Sequence, residues 1–306
     1  MDADRARRRG LAGVLYALGA FGSWGVVVPL HFKLLAAVPA PVILGQRVLW
    51  ASLMTVGLIA GLGRLGDLRD ALALNRRLAL LCISAFLIGA NWLVFIWAVN
   101  TGHLVQTSLG YFINPLVNVA LGILFLGERL RPLQIAACAL AAGGVLLLTV
   151  AAGVLPWVSL TLAFSFGLYG LIRKTVTVDP LVGFCVESLL LLAPALAYLA
   201  VLGASGDPIF GASAGIAFLL MLTGLTSAAP LIWFAAAAQR LNLSTVGLLQ
   251  YIAPSCTLLL GTLIYGEPFT PTDALAFAAI WTGLALYSGE ALGLAWRRSA
   301  ADAEIR

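Results

Sequence analysis

Stretches of about 20 apolar residues recur along this 306-residue chain, from near residue 11 to near residue 292. No other feature limits the fold as much. A helix of about 20 residues crosses roughly 30 Å of hydrocarbon, and within lipid only helices or closed barrels satisfy their own backbone groups. The runs here are long and unbroken, whereas a barrel strand alternates apolar and polar residues over about ten positions. Composition points the same way. Hydrophobic residues make up 61% and charged residues 10%, with a mean hydropathy of +1.02, against about 25% charge in soluble domains. The expected fold class is an all-α polytopic membrane protein whose solvent is the lipid bilayer.

Ten spans fit the hydropathy, at about 11–30, 42–62, 78–99, 104–126, 132–151, 154–172, 181–202, 214–238, 244–265 and 271–292. The first follows a basic run but is longer than the roughly 7–15-residue core of a signal peptide, so it reads as an uncleaved span. Cytoplasmic loops retain Lys and Arg, and here the count is one-sided. With the N-terminus inside, the inner segments hold Arg5, Arg7, Arg8, Arg9, Arg64, Arg69, Arg76, Arg77, Arg129, Arg131, Arg173, Lys174, Arg240, Arg297, Arg298 and Arg306, and the outer segments only Lys33. A bias of 16 to 1 places both termini, residues 1–10 and 293–306, on the cytoplasmic side. The same distribution explains the charge of +5 and the pI near 9.3 without a nucleic-acid partner.

A shift of 139 positions aligns Phe95, Phe112, Pro115, Gly122, Gly127, Glu128 and Pro132 with Phe234, Tyr251, Pro254, Gly261, Gly266, Glu267 and Pro271. The chain thereby divides into two five-helix units, residues 11–151 and 154–292. Five is odd, so the second unit enters from the opposite side. The charges follow: Gly127–Pro132 carries two arginines and Gly266–Pro271 none. Two similar units of opposite sense can exchange conformations around a site near the midplane. The expected architecture is therefore ten transmembrane helices in two inverted five-helix repeats, and the expected activity is secondary transport of a small-molecule substrate by alternating access.

Polar residues within spans mark candidate sites, because lipid penalises them unless they pair or face water. Arg47 follows Gln46 in span 2. It either anchors the helix at the outer interface, or pairs with a carboxylate or attracts an anionic substrate group. Glu187, in the repeat-related span 7, either binds and releases a coupling proton or forms a structural salt bridge, for which the pseudo-symmetry suggests Arg47. Both are charge or coupling candidates. In span 4, Thr107, Tyr111, Asn114 and Asn118 share one helix face, and span 9 repeats the arrangement with Gln250, Tyr251, Pro254 and Thr257. Pro115 and Pro254 remove backbone donors and are the expected helix irregularities. Trp24 and Tyr169 sit in glycine-flanked segments of spans 1 and 6, and Asn91 and Trp92 in span 3. These side chains either line a cavity or fill helix interfaces.

Other chemistries lack their residues. Two histidines, His31 and His103, both fall near the outer face and are too few for a metal or acid–base cluster. Cys82, Cys138, Cys185 and Cys256 lie in apolar runs without a CxxC pair and read as small buried hydrophobes. Glu128 and Glu267 read as helix-end caps. No GxxxxGK[ST] motif exists for ATP, which leaves a substrate, proton or other ion gradient as the energy source. No catalytic residue, metal or cofactor is expected.

Longer strings carry a resemblance: NWLVFIWAVN over Asn91–Asn100, SLGYFINPLVN over Ser108–Asn118, LGER over Leu126–Arg129, AFSFGLYGLIRK over Ala163–Lys174, LSTVG over Leu243–Gly247 and QYIAP over Gln250–Pro254. Over roughly residues 9–296 the chain resembles the EamA-domain branch of the drug/metabolite transporter superfamily. The resemblance implies a ten-helix bundle of two inverted repeats in the bacterial inner membrane. It implies export of a metabolite or amphipathic drug, and part of the family carries a chloramphenicol-permease label. It also implies a central cavity lined by spans 1, 3, 4, 6, 8 and 9, which points to Trp24, Asn91, Trp92, Tyr111, Asn114, Tyr169, Trp233 and Tyr251 as substrate-binding residues. Relatives often have an acidic residue before the Ser-Leu-Gly-Tyr string, where this chain has Gln106. Proton coupling through that position would here fall to another group such as Glu187, or be absent.

Overall fold

The computed structural model describes the backbone of all residues except 1, 102, 154–156, 207–209, 212, 265, 267, 268, 305 and 306, and their side chains except those of 2–4, 6, 7, 99, 100, 104, 105 and 291–304. Glu267 and the side chains of the 293–306 tail thus lie outside the described residues, as does part of the 1–10 segment. Among the described residues the chain is helical and has no strand. Helix α1 (Asp2–Gly22) continues through a π-helical turn (Ser23–Val27) into α2 (Val28–Leu34). Next come α3 (Ala40–Gly61), α4 (Leu65–Ala71), α5 (Arg76–Asn100), α6 (Leu104–Leu126), α7 (Pro132–Ala152), α8 (Trp157–Thr175), α9 (Pro180–Ala204) and α10 (Ala214–Ala238). Then α11 (Leu243–Gln250) and α12 (Ile252–Leu259) lead through a second π turn (Leu260–Ile264) to α13 (Pro271–Glu304).

Among the described residues, eight stretches are long and apolar enough to cross a membrane: Arg8–Leu34, Ala40–Gly61, Arg76–Ala98, Gln106–Leu126, Pro132–Ala152, Pro180–Ala204, Ala214–Ala238 and Leu243–Ile264. The helices α8 and α13 occupy the expected sixth and tenth positions but are less apolar. Helix α8 ends on Arg173 and Lys174 and carries Ser159, Thr161, Ser165 and Tyr169 along its length. The short α4 was not expected. It buries Leu68 and Ala71 against Ile59, Leu81 and Val182, while Arg64 meets Asp67 at 2.7 Å on its exposed side.

Local sequence sets the ends of these helices. Gly127 adopts φ +64°, which L side chains rarely take, and this closes α6 so that the Glu128 N–H returns to Gly122 O at 3.0 Å. Asp179 caps α9, its Oδ1 accepting from the Leu181 and Val182 amides at 3.0 and 3.3 Å. In lipid, helices associate through close packing of small residues. On that rule α7 lies against α13: a Cβ built on Gly144 would stand 2.6 Å from Ala276 O, and one on Gly283 would stand 2.6 Å from Ala137 O. As α7 advances from 137 to 144 its partner retreats from 283 to 276, so the two helices run antiparallel. Further pairs are α6 with α8 and α11, α3 with α9 and α10, α5 with α8 and α9, and α1 with α10.

The core between α1, α8 and α10 is aromatic. Trp24 of the first π turn lies 5.9 Å from Phe21, 5.6 Å from Phe166 and 5.9 Å from Phe234. Large apolar side chains such as Phe86, Leu124 and Leu263 are exposed on the outside, as contact with lipid requires. One thiol departs from its expected place. Cys185 is buried and Cys138 and Cys256 are half-buried, but Cys82 is exposed, because even an apolar span has an outward face that lipid solvates.

Candidate functional site

The Arg47 side chain meets α10 and α5. It is half-buried, its Nε donates to Ser227 Oγ on α10 at 3.0 Å, and its guanidinium lies 4.2 Å from the Trp92 ring centroid and 5.8 Å from that of Phe32. Stacking on an indole contributes about 0.5–2 kcal/mol and orients the guanidinium plane. Tyr111 on α6 is within electrostatic range of Arg47, and its ring is 6.4 Å from that of Phe95. Tyr111 keeps 52% of its surface accessible although it sits about two turns into α6 and faces these inward groups. Side chains from α2, α5, α6 and α10 thus gather around Arg47 of α3. Among the described residues no carboxylate comes within ion-pairing distance of Arg47.

Glu187 has a different set of partners. It is buried on α9, where Oε1 accepts from Ser84 Oγ at 2.5 Å and from Arg173 Nη1 at 3.4 Å, and Oε2 accepts from the Tyr169 hydroxyl at 3.3 Å. Arg173 has no exposed surface, and its Nη2 donates to Pro180 O at 3.1 Å. The salt bridge envisaged for Glu187 is present, but its cation is Arg173 and not Arg47. In one dimension an Arg at the last turn of a helix looks like a loop charge. The packing of α9 over α8 encloses it.

Several of the polar residues expected to face a substrate make hydrogen bonds between helices. Asn91 Nδ2 donates to Leu162 O at 3.0 Å and Ser165 Oγ at 2.9 Å, tying α5 to α8. Asn114 is buried, donates to Ala163 O at 2.6 Å and accepts from Gln250 Nε2 at 2.5 Å, while Asn118 donates to Gln250 Oε1 at 2.8 Å. These amides join α6 to α8 and α11, as buried polar groups must when no water is near. Tyr169 is fully buried against Phe234 and occupied by Glu187. Tyr251 is fully buried in a separate cluster with Val119, Ala141 and Ile280 of the α6, α7 and α13 layer. Trp233 packs on Gly19 and borders a shallow recess with Ala12, Leu15 and Tyr16. Of the residues expected from sequence to bind substrate, Trp92 and Tyr111 lie near Arg47, and Trp24 belongs to the aromatic core.

The two prolines behave differently. Pro115 lies inside an unbroken α6, but Pro254 follows a real interruption at Tyr251, between α11 and α12. A proline removes a hydrogen bond to the preceding turn and clashes with it. Close support from α11 accompanies the continuous helix: Gly247 packs directly on Pro115 O. The π turn at Ser23–Val27 had no sequence signal beyond its paired glycines. There Gly25 packs against Ala253 and Cys256 of α12.

Just past the end of α6, Glu128 caps a helix other than its own. Its Oε1 accepts from the Leu243 amide at 2.6 Å, and its Oε2 from the Ser244 amide at 2.9 Å and hydroxyl at 2.6 Å. Lys174 Nζ stands 4.0 Å from Glu128 and donates to Ala238 O at 3.1 Å and to Leu241 O. These contacts lace α6, α8, α10 and α11 together. Gln106, at the position where relatives carry an acid, holds the start of α8: its Oε1 accepts from the Val158 amide at 3.3 Å, and its carbonyl accepts from Ser159 Oγ at 2.6 Å. Sequence reading missed Ser227, Phe32 and Ser84. A lone serine or phenylalanine in an apolar run carries no signal until its neighbours are known.

Comparison with known proteins identifies the family. The EamA-like transporter family matches residues 11–150 and again 155–289. The chain is 45% identical to Protein RarD of Streptomyces exfoliatus, over 99% of this chain and 95% of that protein. It is 42% identical to Protein RarD of Escherichia coli K12, over 95% and 97%. A Pseudomonas aeruginosa relative named chloramphenicol-sensitive protein RarD is 34% identical over 90% and 92%. A crystal structure superposes on 91% of this chain and 97% of its own with a TM-score of 0.69 at 19% identity, a likeness of fold alone. With the family matched over nearly its whole length and relatives at these identities, the chain belongs to the EamA-like transporter family.

Proposed function

We propose that this protein is a secondary transporter that exports a small metabolite or amphipathic drug across the bacterial inner membrane by alternating access. In this reading α8 and α13 are spans alongside the eight more apolar ones. The ten form inverted repeats over 11–151 and 154–292, and the Lys and Arg bias puts both termini in the cytoplasm.

The observation that carries the reading is the contact between α7 and α13. Gly144 packs on Ala276 and Gly283 on Ala137, and both glycines and both alanines are 139 positions apart. A contact that is the same from either side is what a local two-fold axis produces. Its antiparallel sense is the one expected of units that enter the membrane from opposite faces. Other contacts recur in exchanged form: α1 with α10 as α5 with α8, and α3 with α10 as α5 with α9. The two family matches divide the chain at the same point.

Alternating access requires one end to close while the other is open. In this reading the Glu128 and Lys174 contacts tie helices together at the end assigned to the cytoplasm, and the half-accessible Tyr111 lies toward the other end of α6. The energy source in this proposal is a proton, ion or substrate gradient.

Untargeted mass spectrometry of cells lacking or overproducing the protein tests direction and substrate together. Export predicts compounds that rise outside on overproduction and accumulate inside on deletion. The opposite pattern reverses the assigned direction. Purified protein in sealed vesicles that moves nothing from a broad compound panel above empty vesicles would overturn the transporter reading.

A further inference from the structure

Arg47 is held as a binding group is held. One nitrogen, Nε, is committed to Ser227, and the face of the guanidinium is committed to Trp92 at 4.2 Å. Its terminal nitrogens, Nη1 and Nη2, have no hydrogen-bond partner among the described residues. Neither appears among the side-chain atoms that are both buried and unsatisfied, so both reach accessible space. The buried guanidinium of Arg173 shows the contrast: it has a carboxylate, a backbone carbonyl and no accessible surface. A cation within a span is costly unless a charge or water compensates it. Arg47 has no protein counter-charge among the described residues, so its partner must arrive from solution. The planar fork of terminal N–H groups matches a carboxylate in a bidentate contact.

We propose that Arg47 is the anion-recognition point of the transport site and that the substrate is a small organic monoanion with an apolar body. The surrounding side chains supply the second half of that description. Phe32 and Trp92 lie beside the cation and Tyr111 within electrostatic range of it, so that its hydroxyl can serve as a further donor to the same anionic group. A cationic solute would meet Arg47 as a like charge, and a neutral amide would leave its charge uncompensated. This inference rests on the transporter reading for the word substrate, but binding can be measured without transport.

The probes are phenylacetate, its neutral isostere phenylacetamide and the cation phenethylamine, offered by equilibrium dialysis to the full chain in phosphatidylcholine nanodiscs. Wild-type protein should bind phenylacetate saturably and roughly ten- to hundredfold more tightly than phenylacetamide, the range expected of a charge-assisted contact. Phenethylamine should bind most weakly. Arg47→Gln should bring the first two ligands within about twofold of one another, and Arg47→Lys should keep part of the preference because it keeps the charge. If Arg47→Gln does not fold, the wild-type ranking and the lysine variant still decide. Equal binding of the three probes, or no saturable binding of phenylacetate at millimolar concentration, overturns the proposal. An anionic lipid headgroup offers similar chemistry to free solutes, so the titration is repeated with phosphatidylglycerol in the discs. Loss of phenylacetate binding there assigns Arg47 to lipid and also overturns it. Anion-selective binding without counterflow in vesicles would refute transport alone, and counterflow of neutral compounds without anion preference would refute this inference alone.

Discussion

Replacing Glu187 with glutamine separates a structural carboxylate from a coupling one. The residue stands 3.4 Å from Arg173, and both side chains are within 2% of complete burial. Two unit charges at that distance attract by about 5 kcal/mol at an effective dielectric of about 20, before desolvation is subtracted. Glutamine is nearly isosteric and its amide oxygen still accepts from Ser84 or Tyr169. What disappears is the counter-charge of an enclosed guanidinium, and removing one member of a buried pair costs about 3–5 kcal/mol. Glu187→Gln combined with Arg173→Met removes both charges, and should recover all but about 1–2 kcal/mol, the share of the lost hydrogen bonds. Reversible unfolding of the purified protein in mixed micelles, followed by circular dichroism across an SDS titration, reads these differences. Vesicle transport over a range of pH, run in parallel, should show the same pH response in the double variant as in wild type. A double variant no more stable than the single one refutes the pairing. A stable double variant that has lost only its pH response transfers Glu187 to proton coupling.

Further substitutions test other parts of the molecule. Glu128→Gln should weaken the start of α11 by about 0.5–2 kcal/mol through loss of a charged cap, measured as faster hydrogen exchange at the Leu243 and Ser244 amides; unchanged exchange would deny the cap. Gly224→Ala should destabilise by about 1–3 kcal/mol through overpacking, because its Cβ would stand 2.6 Å from the Trp50 carbonyl carbon. Gly57→Ala, with nothing within 4 Å, should instead be neutral or gain up to about 1 kcal/mol of helix propensity; equal losses at both glycines in the same unfolding titration would contradict the packing. Tyr251→Phe removes a buried hydroxyl that has no partner among the described residues, and should leave stability equal or higher and vesicle transport unchanged. A clear loss of transport would return Tyr251 to the binding site.

The helical class was legible in the sequence because a lipid solvent leaves so few alternatives: runs of about 20 apolar residues must be helices that satisfy their own backbone. The family was legible too, since strings such as Ser108–Asn118 are specific and the matches cover both halves. Arg47 could be recognised as unusual from position alone, because a charge in an apolar run has an energetic consequence wherever the helix packs. Where such a residue points could not. Only the packing brings Ser227 of α10 to the Arg47 Nε and Trp92 of α5 under its plane. Glu187 found its cation on the adjacent helix α8, not at the pseudo-symmetric position, because an ion pair is decided by a separation of a few ångströms. Asn91, Asn114 and Tyr169 have the same side chains whether they face a substrate or a neighbouring helix. Hydrophobicity and charge act residue by residue and can be read along the chain. Partnership depends on which helices touch, and that only the tertiary structure decided.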